Sequence, residues 1–108
     1  MAEHIEINLA TPFFAPSVKM TLLEMVTRIG RVWPSEATCI TQESDGELIW
    51  WSSPISEVEK ARKTASLEAG LVPILGFGCI VQADYYQLNG QEVVATDWKT
   101  GLVEKDQL

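Results

Sequence analysis

The sequence predicts an α+β fold, an antiparallel sheet of four to five strands with two helices packed on one face, in the order β-α-β-β-α-β-β. Three observations predict it. Short runs alternate apolar and polar residues with period two, two longer segments place apolar residues at helical spacing, and Asp-Gly and Asn-Gly pairs separate neighbouring strand-like runs. A chain of 108 residues, 46% hydrophobic and 21% charged, has the size and composition of one domain with one core, residues 1–108.

The elements follow in order. Ile5 and Ile7 alternate with Glu6 and Asn8 before Leu9, as in a half-buried first strand. Thr11 to Pro16, with two prolines around Phe13 and Phe14, reads as an extended connection. Thr21-Leu22-Leu23-Glu24 is a capping box flanked by Met20 and Met25, so a helix starts there; Leu22, Met25, Val26, Ile29 and Trp33 form its apolar stripe, and Pro34 stops it.

Cys39–Gln42 and Leu48–Trp51 read as strands of a hairpin. With Asp45-Gly46 as a two-residue turn, Ile40, Gln42, Ile49 and Trp51 share one face, while Cys39, Thr41, Leu48 and Trp50 share the other. Ser53 before Pro54 starts a second helix, with Ile55, Val58, Ala61 and Ala65 inward and Gly70 as its stop. Lys60, Arg62 and Lys63 lie on its solvated face. Leu71 to Val81, broken by Pro73, Gly76 and Gly78, is too short and interrupted to cross a membrane, and Gly76-Phe77-Gly78 reads as a bend. Ile80–Tyr86 and Glu92–Trp98 form the last hairpin around Asn89-Gly90, and the charged tail, residues 102–108, frays. The two successive helix-hairpin units could reflect an old duplication, but their residues barely repeat, and helices and hairpins alternate often enough by chance that the order alone does not establish one.

Chemistry is scarce. His4 stands alone near the N-terminus, and Cys39 and Cys79 read as buried thiols without CxxC partners. No GxSxG, HExxH or Walker motif is present, so neither an enzyme nor a cofactor is predicted. Asp84 and Asp97 are the most enzyme-like pair, since on one face of the last hairpin two carboxylates could bind a cation or divide acid and base roles. The formal charge of −7 opposes contact with nucleic-acid phosphates and favours basic partners. Glu3 stands where a secretory signal would carry basic residues, so the expected location is cytoplasmic.

Adjacent strand residues point to opposite faces, so Trp50 and Trp51, like Tyr85 and Tyr86, cannot both enter one core layer. Unless both sheet faces are covered, one of each pair is exposed, and Tyr and Trp are enriched at interface hot spots. The expectation is therefore a small acidic protein-binding or regulatory module that docks another protein through Trp50, Trp51, Asp84, Tyr86 and Asp97. A phage or mobile-element accessory protein acting on a host protein would have this size and charge. The alternatives are a homodimeric structural or assembly protein and a small enzyme or metal binder using Asp84 and Asp97.

Overall fold

The computed structural model describes residues 14–108; His4 and the strand expected at Ile5–Leu9 lie outside them. Its described part is α+β, with helices and antiparallel sheets. Helix α1 spans Leu22–Ile29 and opens on the capping box, Glu24 N–H donating to Thr21 Oγ1 at 3.1 Å and Thr21 N–H to Glu24 Oε1 at 2.9 Å. It ends at Gly30, whose φ of 65° closes the last turn, and not at Pro34. Trp33 lies beyond the helix but still packs against the core.

Strands β1 (Cys39–Gln42) and β2 (Glu47–Trp51) pair antiparallel, with Cys39 opposite Trp51, Ile40 opposite Trp50, Thr41 opposite Ile49 and Gln42 opposite Leu48. This register is one residue away from the one a two-residue turn predicts. Three residues, Ser44, Asp45 and Gly46, make the connection: Gly46 N–H donates to Glu43 O and Glu43 N–H to Glu47 O, each at 2.9 Å, and Gly46 takes a φ of 98°. Asp45 Oδ1 accepts the Glu47 N–H, so the turn closes with one extra left-handed residue. A one-residue slip exchanges faces. Cys39, Thr41, Ile49 and Trp51 therefore share one side, and Ile40, Gln42, Leu48 and Trp50 the other.

Both sides are covered. On one, Ile40, Leu48 and Trp50 pack with Leu22, Met25 and Val26 of α1 and with Val93, Val94, Ala95 and Trp98. On the other, Cys39, Ile49 and Trp51 pack with Val58 and Ala61 of helix α2 (Ile55–Thr64) and with Leu71. The helices thus sit on opposite faces, correcting the expected one-sided arrangement. Helix α2 begins after Pro54 without a side-chain cap and ends at Thr64, short of Gly70, because Ala65 is already extended. A single helical turn, α3 (Val72–Leu75), and a 3-10 turn at Phe77–Cys79 follow.

Strand β3 (Ile80–Tyr85) pairs antiparallel with β2, giving a three-stranded sheet in the order β1-β2-β3 with a bulge opposite Trp50 and Trp51. The expected long last hairpin is reduced to β4 (Gln87–Leu88) and β5 (Gln91–Glu92), a separate two-stranded sheet around Asn89 and Gly90, whose φ angles of 54° and 78° suit the tight turn. The described residues thus form sheets of three and two strands where one of four to five was expected. Val93–Ala95 leave the hairpin because they bury better elsewhere: Val94 exchanges hydrogen bonds with the Pro16–Val18 segment, and Ala95 N–H donates to buried Gln42. The end of the chain is pinned where fraying was expected, since Val103 is 2% exposed and exchanges two hydrogen bonds with Ile40, and Lys105–Gln107 form a 3-10 turn.

Candidate functional site

The residues singled out from sequence do not converge. Trp50 and Trp51 are 1% and 0% exposed, one in each core layer, so neither reaches a docking surface. Trp51 Nε1–H donates to Thr41 Oγ1 at 2.8 Å, which satisfies its only polar group. Tyr86 is half-buried against the α1 layer. Asp84 lies on β3, where Oδ2 meets Arg31 Nε at 2.6 Å and Oδ1 accepts the Tyr85 N–H at 2.8 Å. Asp97 is engaged at the start of α1, accepting the Leu22 N–H at 2.7 Å, where a carboxylate complements the free amides of a helix N-terminus. The two aspartates thus serve different elements, and the hairpin that would have juxtaposed them does not extend that far. Among the described residues no group of three or more His, Cys, Asp and Glu is arranged to hold a metal ion.

Acidic groups gather instead in a cleft of 340 Å³ formed by Glu43, Ser44, Asp45, Glu47 and Glu68. Burial pushes the Glu43 carboxyl above its usual range, partly offset by the Arg62 charge and the Leu71 amide. The carboxylate lies over Gly70, where an added Cβ would sit 1.6 Å from Oε1. Arg62, expected on a solvated face, turns inward from α2, donates from Nη2 to the Gln42 and Trp98 carbonyls and lies 5.9 Å from the centre of the Trp98 ring. It therefore clamps the sheet to the C-terminal segment. Tyr85, at the rim of the acidic region, donates its hydroxyl to Asp45 Oδ2 at 3.3 Å; desolvation and then the negative charges of Asp45 and Glu47 push its pKa up to about 12.

A further surface feature is apolar. Along Leu71–Cys79, Leu71 anchors in the α2 layer while Ile74 is 50% exposed and Phe77 79% exposed. α3 ends at Gly76, whose φ of 91° few side chains tolerate, and the 3-10 turn that follows exposes Phe77. Ile74 and Leu75 also border an open groove of 300 Å³ against Glu57, Lys60, Ala61 and Thr64 of α2. The sequence carried a signal for this projection. Pro73, Gly76 and Gly78 in the most apolar run prevent a continuous strand or helix from burying it.

Comparison with protein-family models, curated proteins and solved structures returns no match. The functional reading therefore rests on the surface itself. Ile74 of α3 and Phe77 of the following 3-10 turn are large apolar side chains held outward, whereas the tryptophans that would have served as anchors are consumed by the core.

Proposed function

We propose that this chain is a small acidic protein-binding module that docks another protein through the Ile74–Phe77 projection. The observation that carries the reading is the exposure of Ile74 on α3 and of Phe77 on the 3-10 turn after it, beside Leu71 and Leu75, which pack in the α2 layer. An exposed aromatic side chain offers the area of an interface anchor. Acidic composition supports a protein partner over nucleic acid, because phosphate contact requires clustered basic groups. Of the basic cluster expected on α2, Arg62 is spent inside the molecule.

The test is the double variant Ile74→Ser, Phe77→Ser, compared with Glu36→Ala as an exposed control, in pull-downs from lysate followed by affinity measurement with the recovered protein. Covering both side chains is worth roughly 2–4 kcal/mol, so affinity should fall about 30- to 1,000-fold. The circular dichroism spectrum should be unchanged, because both residues are exposed. Equal retention of the partner by the double variant removes the proposal. Loss of self-association, with no foreign partner retained, assigns the projection to a homodimer contact.

A further inference from the structure

We propose that Asp84 and Arg31 form a guard that keeps the outer edge of β3 from pairing with a second copy of this chain. The sheet has two edges. That of β1 is closed by Val103, which exchanges hydrogen bonds with Ile40 at 2.8 and 2.9 Å. Among the described residues no strand lies beyond β3.

The register shows which peptide groups that edge presents. Glu43 N–H bonds to Glu47 O, and Ile40 turns its peptide group away from β2 to Val103. Peptide groups alternate along a strand, so Leu48 and Trp50 of β2 bond towards β3, opposite Asp84 and Gln82. Ala83 and Tyr85 therefore direct their N–H and C=O groups outward. An edge of this kind is a template for another strand, and an antiparallel partner supplied by a second β3 would continue the sheet across a two-fold axis.

Two devices oppose this. Between Trp50 and Trp51 the β2–β3 register shifts, so one extra β3 residue, Val81, is accommodated and the first part of the edge bends away from a straight template. At the other end Asp84 Oδ1 takes the outward Tyr85 N–H at 2.8 Å, occupying a donor that an incoming strand would need. Oδ2 is held by Arg31 Nε at 2.6 Å, which fixes the carboxylate in that position from the segment after α1. A partner strand would have to displace the carboxylate and break its contact with Arg31. Two copies meeting there would also bring their carboxylates together. Among the described residues the part of the edge left without a partner is Ala83, too short to hold a strand by itself. This assignment gives Asp84 a role that needs neither a metal nor a substrate, and it is independent of the Ile74–Phe77 reading.

The experiment compares the parent, Asp84→Ala, Asp84→Asn and the double variant Ala83→Pro, Asp84→Ala by sedimentation velocity over a range of concentrations, with amide hydrogen exchange in parallel. Ala83 is exposed and its N–H faces outward, so proline there removes an edge donor without breaking the ladder to β2. Asp84→Ala should associate about two- to tenfold more tightly than the parent, the equivalent of one hydrogen bond regained at the edge. Its Tyr85 amide should exchange faster than the parent's in dilute solution and slow down as the protein associates. Asp84→Asn, which keeps the acceptor and loses the charge, should lie between the two, and the proline double variant should return to the parent's mass. An Asp84→Ala protein with the parent's mass at every concentration overturns the proposal. So does a proline double variant that associates as strongly as Asp84→Ala.

Discussion

Replacing Gln42 by leucine tests whether one buried amide ties the sheet to the segment beside it. Gln42 is 0% exposed on β1, yet both its N–H groups and its carbonyl find partners: Nε2 donates to the Gly46 and Val93 carbonyls, each at 3.0 Å, and Oε1 accepts the Ala95 N–H at 2.8 Å. Leucine has nearly the same volume and no hydrogen-bonding group, so Gln42→Leu leaves one buried N–H and two carbonyls without this partner. A stranded buried group costs about 1–3 kcal/mol; the N–H bears the full cost, while each carbonyl keeps a second lone pair, and burying a more apolar side chain returns about 1 kcal/mol. The net loss should be about 3 kcal/mol, a large share of the roughly 5–15 kcal/mol that holds a domain of this size together. Urea unfolding followed by tryptophan fluorescence measures it directly, because Trp50 and Trp51 report both core layers. Gln42→Glu should destabilise at least as much, since it turns a carboxylate oxygen towards two carbonyls. A loss below about 1 kcal/mol in Gln42→Leu, with an unchanged denaturant slope, would refute the reasoning and reduce Gln42 to a space-filling residue.

Two further predictions concern Glu43 of the acidic cleft and Gly70, which lies against its carboxylate. Gly70→Ala should lower stability by about 2–4 kcal/mol in thermal or urea unfolding, combining the left-handed φ of 72° with displacement of the Glu43 carboxylate. Removing the carboxylate as well, in Gly70→Ala with Glu43→Ala, should leave mainly the backbone cost relative to Glu43→Ala alone; a single variant as stable as the parent would contradict this packing. Because burial raises the folded pKa of Glu43 above the ordinary 4.5, its contribution is fully present below that pH and lost as pH rises through the folded value. The parent should therefore lose stability relative to Glu43→Gln over that window, and a difference that does not vary with pH would show that Glu43 ionises as freely in the fold as in the unfolded chain.

Legibility from sequence followed the range of the interactions. The capping box at Thr21 and Glu24 and the turn at Asn89-Gly90 were readable because each is settled within four residues by groups that have no better local partner. The β1–β2 register was not. Both Asp45-Gly46 and Ser44-Asp45-Gly46 can close the hairpin, and the choice depends on which side chains the two layers bury. The fate of the candidate site was less legible still. Neighbouring tryptophans announce that one of them must leave a one-sided core, but the alternation of Trp50 and Trp51 is equally satisfied by helices on both faces, which is the arrangement found. Asp84 and Asp97 looked like a pair only on a hairpin that ends after four paired residues, and the segment that carries Asp97 is drawn away by Pro16, Val18 and Gln42.

By itself the sequence determined the α+β class, the start of α1, the β1 and β2 segments and the Asn89-Gly90 turn, because backbone preference and hydrophobic period act over a few residues. Only the tertiary structure decided that the helices flank the sheet, that Gln42 and Arg62 point inward, and that Phe77 rather than a tryptophan stands in solvent. Those outcomes depend on competition among distant segments for the same buried surface and hydrogen-bonding groups, and no local pattern records which segment prevails.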